Sequence, residues 1–288
     1  MTNTSGFKDE VSGDLFTTYY DNPQTINLIS DWNSRHPDQS KTSYFRTHAG
    51  RFAYMVDLVN LIGKKGICLD VAGTSRTQML LSEMTRFEEV LLLPPGIDVE
   101  LDPWADRLGL CKYDFVIFAE VIEHLGADPA LALHEISRCL KPGGIFLLTT
   151  VNIASVLGLY HMAHGYAPYA MSNIFGKHGD RHQREYAPIE LQKLVAAQGF
   201  ETWMTTTNLY QTAEIKHRAQ EWFKKLNGLN NRFHGDTIVI VGEKKLEIDE
   251  PYRLHPIYHD SVSSNKRGDS PPYMPKLLHS DWKFDLSA

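Results

Sequence analysis

Glu120, Glu123 and His124 stand at i, i+3 and i+4, a spacing that places two carboxylates and an imidazole on one face if the segment is helical. Such a set supports three readings. Carboxylate oxygens and an imidazole suit Mg, Mn, Fe or Zn better than a soft copper site. The imidazole can also act as a base without any metal, or the residues can simply position their own segment. Further on, His178-Gly179-Asp180-Arg181-His182 gathers two more histidines, but 13 histidines in the chain make chance clusters expected.

The elements around these residues read as an α/β unit. Apolar residues from Tyr44 to Leu61 recur at helical spacing, so an amphipathic helix is expected over 43–61. Gly63 and Gly66 bracket a turn into the buried strand Ile67-Cys68-Leu69-Asp70-Val71. Ala72-Gly73-Thr74-Ser75 and a helix through Met84 follow, which is the opening of a βαβ unit. Further strands are expected at 89–93, 97–101, 113–119, 145–150, 200–206 and 237–241. Helices are expected at 25–32, 130–139, 188–198 and 213–226, with Gly199 as a C-terminal stop.

Four segments in this order resemble the class I S-adenosylmethionine-dependent methyltransferases of the type 11/23-like group. They are Ile67 to Thr74, Tyr113 to Leu125, Leu140 to Thr150, and His182-Gln183-Arg184-Glu185-Tyr186-Ala187-Pro188 with Gly199-Phe200. The resemblance covers about residues 43–244. It implies a Rossmann-like, mostly parallel sheet with helices on both faces, whose ligand lies outside the carboxyl ends of the strands. It also implies S-adenosylmethionine as cofactor, with Asp70, Ala72 and Gly73 in its first contact region and Glu120 where the sulfonium meets the acceptor. Glu120-x-x-Glu123-His124 with a later His182 is similar to the metal-dependent O-methyltransferases. In that chemistry the cation holds the acceptor hydroxyl and lowers its pKa.

Two departures accompany the resemblance. The loop Ala72-Gly73-Thr74-Ser75-Arg76 keeps one glycine and brings an arginine. The family's acidic residue at the end of the second strand is absent, because that strand ends Leu91-Leu92-Leu93-Pro94-Pro95. A parallel pair needs a crossover of about a dozen residues, and Pro94 to Gly96 offers three. The runs 89–93 and 97–101 therefore cannot be consecutive parallel strands, and one strand and helix unit is expected to be lost or displaced. Asp98, Glu100 and Asp102 are substitute carboxylates. Asp102-Pro103-Trp104 resembles the family's adenine-side loop, with Trp104 offering a stacking face.

The remaining composition narrows the partners. The chain has 288 residues, 42% of them hydrophobic, so it can bury a full core. With 29 basic against 35 acidic residues, no broad footprint for nucleic acid is expected. The basic group Lys216, His217, Arg218, Lys224 and Lys225 reads as a solvated helix face. Cys68, Cys111 and Cys139 have no metal or framework spacing, which suggests a reducing, cytoplasmic setting, and no apolar run is long enough to span a membrane. The organisation expected is an arm over 1–42, a methyltransferase-like domain over 43–246 and a tail over 247–288. Residues 151–181, rich in aromatic and amide groups, form an insertion suited to a small-molecule, sugar or lipid-linked acceptor. The activity expected is O-methylation. The alternatives are a non-catalytic methyltransferase-like domain that has lost standard cofactor binding, or a pocket put to other chemistry.

Overall fold

The computed structural model describes residues 22–36, 42–168, 182–209, 214–226, 233–252 and 276–277. In chain order these form α1 (Pro23–Arg35), α2 (Thr42–Thr47), α3 (Ala49–Ile62), β1 (Ile67–Asp70), α4 (Ser75–Met84), β2 (Glu89–Leu92) and α5 (Ala105–Leu108). Then come β3 (Tyr113–Ala119), α6 (Pro129–Cys139), β4 (Leu140–Val151), α7 (Val156–Ala163), α8 (Pro188–Ala196), β5 (Phe200–Thr207), α9 (Glu214–Lys224), β6 (Thr237–Lys244) and β7 (Lys276–Leu277).

The strands make one sheet in the order β2-β1-β3-β4-β6-β5-β7. β2, β1, β3 and β4 are mutually parallel, and β6 runs antiparallel between β4 and β5. The expected α/β fold with a mostly parallel, mixed sheet is what forms. Its strand order reverses between β1 and β3, where the first strand lies beside both the second and the third.

Alternation along the strands builds two cores. Cys68, Phe115, Ile117, Ile145, Leu147, Val239 and Val241 point to one face and pack with α1, α3 and α4. Leu69, Val116, Phe118, Phe146, Leu148, Ile238 and Ile240 point to the other and pack with α6 and α8. α3 carries AGRFAYMVDLVNLI, of which nine residues are buried, and Gly63 ends it in the left-handed conformation at φ 70°. The helix expected as one piece over 43–61 is divided, because His48 leaves helical geometry between α2 and α3 at φ −107°, ψ 21°.

The strand expected at 97–101 does not form. The stretch turns on itself: Asp102 donates its backbone N–H to the Asp98 carbonyl and accepts the Asp98 N–H on its carboxylate at 3.0 Å. The Asp98 carboxylate in turn accepts the N–H of Glu100 at 3.1 Å. The three residues from Pro94 to Gly96 are too short to carry the chain back across the sheet, so β2 is its edge.

α1 is locked onto this body. Asn22 and Thr25 both donate to the Asp57 carboxylate, at 2.8 and 2.9 Å, and the Trp32 indole donates to Glu83 at 2.8 Å. Arg76, which the sequence placed beside the cofactor loop, is buried and turned toward α1. Its guanidinium lies over Trp32 and Phe45, 5.2 and 4.9 Å from the ring centroids, and donates to the Asn33 carbonyl and side-chain oxygen. Arg76→Met should therefore lower stability by about 1–3 kcal/mol and free α1. Urea unfolding and limited proteolysis after residue 36 would read both effects; a variant as stable and as protected as wild type would contradict this role.

Candidate active site

A cavity of about 430 Å³ opens at the carboxyl ends of β1 and β3, on the face that α2 and α3 cover. That volume lies in the range of small-molecule sites, roughly 300–1,000 Å³. Its walls come from three places: Asp70, Ala72, Gly73 and Thr77 after β1; Glu120 and Thr149 at the ends of β3 and β4; and Tyr44, Phe45, Arg51 and Phe52 from α2 and α3. The position is the reversal in strand order where open α/β sheets bind ligands.

Asp70 closes β1 with its side chain aimed into this cavity. The Thr77 hydroxyl donates to it at 2.9 Å and the Gly73 N–H also donates to it, yet burial dominates and pushes the carboxyl up to about 6. Thr74 caps α4 reciprocally with Thr77, so the same threonine ties the loop to the helix and to Asp70. The lone glycine of the loop has a steric reason. A Cβ on Gly73 would sit 2.0 Å from the Asp70 carboxylate and 2.8 Å from Leu92.

Glu120 follows β3 with φ at 57°, a left-handed conformation that a glutamate adopts only under constraint. Thr149 supplies that constraint. Its carbonyl accepts the Glu120 N–H at 2.8 Å and its hydroxyl donates to the Glu120 carboxylate, also at 2.8 Å. Arg51 stands on the other side, with one guanidinium nitrogen 3.7 Å from that carboxylate. Another nitrogen donates to the Tyr44 hydroxyl at 2.7 Å. His48 packs on the Tyr44 ring, and burial with the nearby Arg51 charge lowers its pKa.

Glu123, His124 and His182 gather elsewhere. A short 3₁₀ turn over Ile122–His124 follows Glu120, so the chain does not continue as a helix and Glu120, Glu123 and His124 do not share one helical face. Thr149 and Thr150 point to opposite faces of β4, and Thr150 donates to the buried Glu123 carboxylate at 2.7 Å. His124 lies 3.8 Å from Glu123, and its ring meets that of His182 with centroids 5.0 Å apart. The Nδ1 of His182 pairs with the buried Glu185 at 2.9 Å. Burial, reinforced by the Glu120 charge, pushes Glu123 up to about 7. His182 is held above its ordinary value by Glu185 and Glu123 against the opposing effect of burial.

Among the described residues, Glu123, His124 and His182 bring ligand atoms within 4.8 Å of one another, and Glu120 is not in that group. Asp102 and Trp104 do not line the cavity. The Asp102 carboxylate is used within its own turn. Trp104 is wholly buried in the core under the other face, which leaves no open ring face for a planar ligand. Of the insertion, residues 169–181 lie outside the described residues, as do most of the tail and the side chains of Lys216 and His217.

Arg51, Tyr44, Phe45 and Phe52 were absent from the residues picked out by motif. One signal was available: α3 is almost wholly apolar, its charged residues are Arg51 and Asp57, and Asp57 is occupied by Asn22 and Thr25.

A parallel sheet with a carboxylate and a lone glycine after β1, and a cavity at the strand reversal, define an α/β fold built to hold a small cofactor. Residues 51–205 match a family model described as a methyltransferase domain, which is more than half of the chain. The chain belongs to this family and is an S-adenosylmethionine-dependent methyltransferase. No curated protein matches the chain. Among solved structures it is similar to an S-adenosylmethionine-dependent methyltransferase from Thermotoga maritima, at 20% identity and a TM-score of 0.41, over 77% of this chain and 100% of that one. Another, from Archaeoglobus fulgidus, shows 15% identity and a TM-score of 0.48 over 71% and 97% of the two chains. The 1,6-didemethyltoxoflavin-N1-methyltransferase of Burkholderia thailandensis, with S-adenosylhomocysteine bound, shows 17% identity and a TM-score of 0.42 over 78% and 89%.

The donor set of the cavity fits the amino-acid end of the cofactor: two carboxylates for cationic groups, a guanidinium, and the close backbone of Ala72 and Gly73. β2 ends at Leu92 and is followed by Leu93, so the carboxylate that the resemblance leads one to expect there is missing. Gly73→Ala should force Asp70 or Leu92 to move, costing about 1–3 kcal/mol of stability. It should also weaken S-adenosylhomocysteine binding at least severalfold in calorimetry. Unchanged affinity would show that the tight loop is not part of the ligand's wall.

Proposed function

We propose that the chain transfers a methyl group to an oxygen of a small-molecule or sugar acceptor. The observation that carries this reading is the pairing of a carboxylate-lined cavity with a histidine and glutamate cluster at the same end of the sheet. When bound, S-adenosylmethionine supplies an electrophilic methyl group on a sulfonium. Asp70 and Glu120 offer negative charge to its cationic centres, and Ala72 and Gly73 allow close approach of the backbone.

Methyl transfer needs alignment of acceptor, carbon and sulfur, and removal of the acceptor's proton. His124, a third exposed, and His182 are the groups to take that proton in their neutral form, with Glu123 beside His124 and Glu185 orienting the ring of His182 through Nδ1. His124→Ala and His182→Ala should each reduce kcat about 100-fold or more while leaving cofactor affinity near wild type. A panel of phenolic, carboxylate, amine and sugar acceptors with product mass spectrometry and NMR would test the reading. Methylation at nitrogen or carbon alone would refute the oxygen assignment, and no transfer despite binding would favour a domain that binds without reacting.

A second reading rests on the same cluster. The Nδ1 of His182 is held by Glu185, which leaves Nε2 for a cation, the arrangement by which carboxylates orient metal-bound imidazoles. Glu123, His124 and His182 would then hold a divalent ion that binds the acceptor oxygen. Under this reading EDTA abolishes activity and Mg, Mn, Fe or Zn restores it. Indifference to both leaves the metal-free base.

The buried Asp70 gives the cofactor site a pH dependence. Its carboxyl has a value of about 6 without ligand, and a cationic ligand favours the ionised form. Below pH 6 binding must therefore expel a proton, so affinity should fall as pH drops through 6 and level off above it. Because the folded value lies above the ordinary 3.8, the same group favours the folded state most at low pH, and that contribution is lost as pH rises from about 4 to about 6. Calorimetric titrations of S-adenosylhomocysteine from pH 5 to pH 8 on wild type and Asp70→Asn would read the binding effect. Equal pH dependence in both would assign it to another group.

A further inference from the structure

We infer that Cys111 and Lys244 form a peroxide-responsive covalent clamp, a sulfur–nitrogen link between the thiol and the lysine amine at the rim of the sheet opposite the cavity. The two residues lie 133 apart in sequence, outside the groups assigned to the cofactor and the acceptor.

Cys111 precedes β3, Leu140 opens β4 and Lys244 closes the antiparallel β6, so the three meet at the amino-terminal ends of the parallel strands. Lys244 is buried, with 1% of its side chain exposed, and a buried ammonium must have its three donors used. Nζ donates to the Leu140 carbonyl at 2.9 Å, to the Glu247 carboxylate at 2.8 Å and toward the Cys111 sulfur at 4.0 Å. The Cys111 thiol is itself 3.9 Å from the same Glu247 oxygen. Cys68 and Cys139 are buried, whereas Cys111 is exposed, so a dissolved oxidant reaches it first. Its loop is held by the backbone N–H groups of Cys111 and Lys112, which donate to the Arg138 and Cys139 carbonyls at 3.0 and 2.8 Å. A nitrogen, a carboxylate and a solvent-reachable sulfur therefore form one triangle.

The chemistry balances with hydrogen peroxide as the oxidant. The Cys111 sulfur attacks one peroxide oxygen, the O–O bond breaks, and thiol and peroxide become a sulfenic acid and water. Lys244 passes one proton to Glu247, and its nitrogen then attacks the oxidised sulfur. The S–O bond breaks, hydroxide leaves as water with a second proton from the nitrogen, and an S–N bond remains. Sulfenic acids condense in this way with a nitrogen held beside them. Two molecules of a small thiol undo the link, becoming a disulfide and returning Cys111 and Lys244.

The test exposes the reduced full chain to a small excess of hydrogen peroxide, blocks remaining thiols and maps peptides without reductant. Wild type should yield a linked pair containing Cys111 and Lys244, about 2 Da lighter than the two reduced peptides together, which dithiothreitol separates into unmodified residues. Joining positions so distant should also raise Tm by several degrees in the oxidised protein. C111S should show neither effect. K244R keeps the charge but cannot give up a proton to become a nucleophile, so its Cys111 should run on to sulfinic acid. E247Q changes a side chain that is 61% exposed and guards against misfolding of K244R. It should slow the link at least severalfold and let dimedone trap the sulfenic acid. A wild type whose Cys111 reaches sulfinic acid or pairs with a second chain, with no link to Lys244, overturns the inference. Linkage of wild type and E247Q at one rate overturns the proton step assigned to Glu247.

Discussion

The two halves of the site are set apart by the alternation of side chains along β4. Thr149 and Thr150 are neighbours in sequence, yet each hydroxyl donates to a glutamate on a different face of the sheet. Glu120 is thereby fixed over the cofactor cavity and Glu123 in the core of the opposite side. The parallel register between Ala119 and Thr149 brings the strand ends level, so both glutamates emerge at one rim of the sheet. The separation is still electrically short. The Glu120 charge contributes to the raised values of Glu123 and His182, so charge arriving in the cavity is felt by the cluster on the other face.

Loss of the third strand has been absorbed locally. Asp98 and Asp102 spend their carboxylates on backbone N–H groups of their own loop, and the Glu100 carboxylate accepts the Ala127 N–H beyond the 3₁₀ turn. Three acids that could have served a ribose instead hold together a segment with no strand to lie in. Ile97 and Val99 of the same stretch, with Leu108 of α5, pack against the core beneath it.

Much of the fold was legible because its signals are local. The apolar runs of β1 and β3 and the Gly199 stop behind α8 require no distant partner. That 89–93 and 97–101 could not be consecutive parallel strands followed from length, although a strand was still expected at 97–101 and none forms there. The site was less legible where packing decided. The spacing of Glu120, Glu123 and His124 suits a helix, but Glu120 is the hinge between a strand and a 3₁₀ turn, and its left-handed backbone sends its side chain to the other face. Trp104 carried a plausible ring for adenine, whereas the hydrophobic gain of burying an indole took it into the core. Arg51 was invisible for the opposite reason: nothing near it in sequence shows that α3 forms a wall of the cavity.

The order of the chain gives this wall a temporal meaning. Phe52, Met55 and Val56 of α3 share a core with Val239 and Val241 of β6, nearly two hundred residues later. During synthesis the helices that line the cavity emerge first, but part of the core they share emerges late. Closing so long a loop is slow compared with forming either helix. The carboxylates of β1 and β3 can thus be in place while the core behind the aromatic side of the pocket is still incomplete. The wall of the cavity is tied by its core to both early and late parts of the chain.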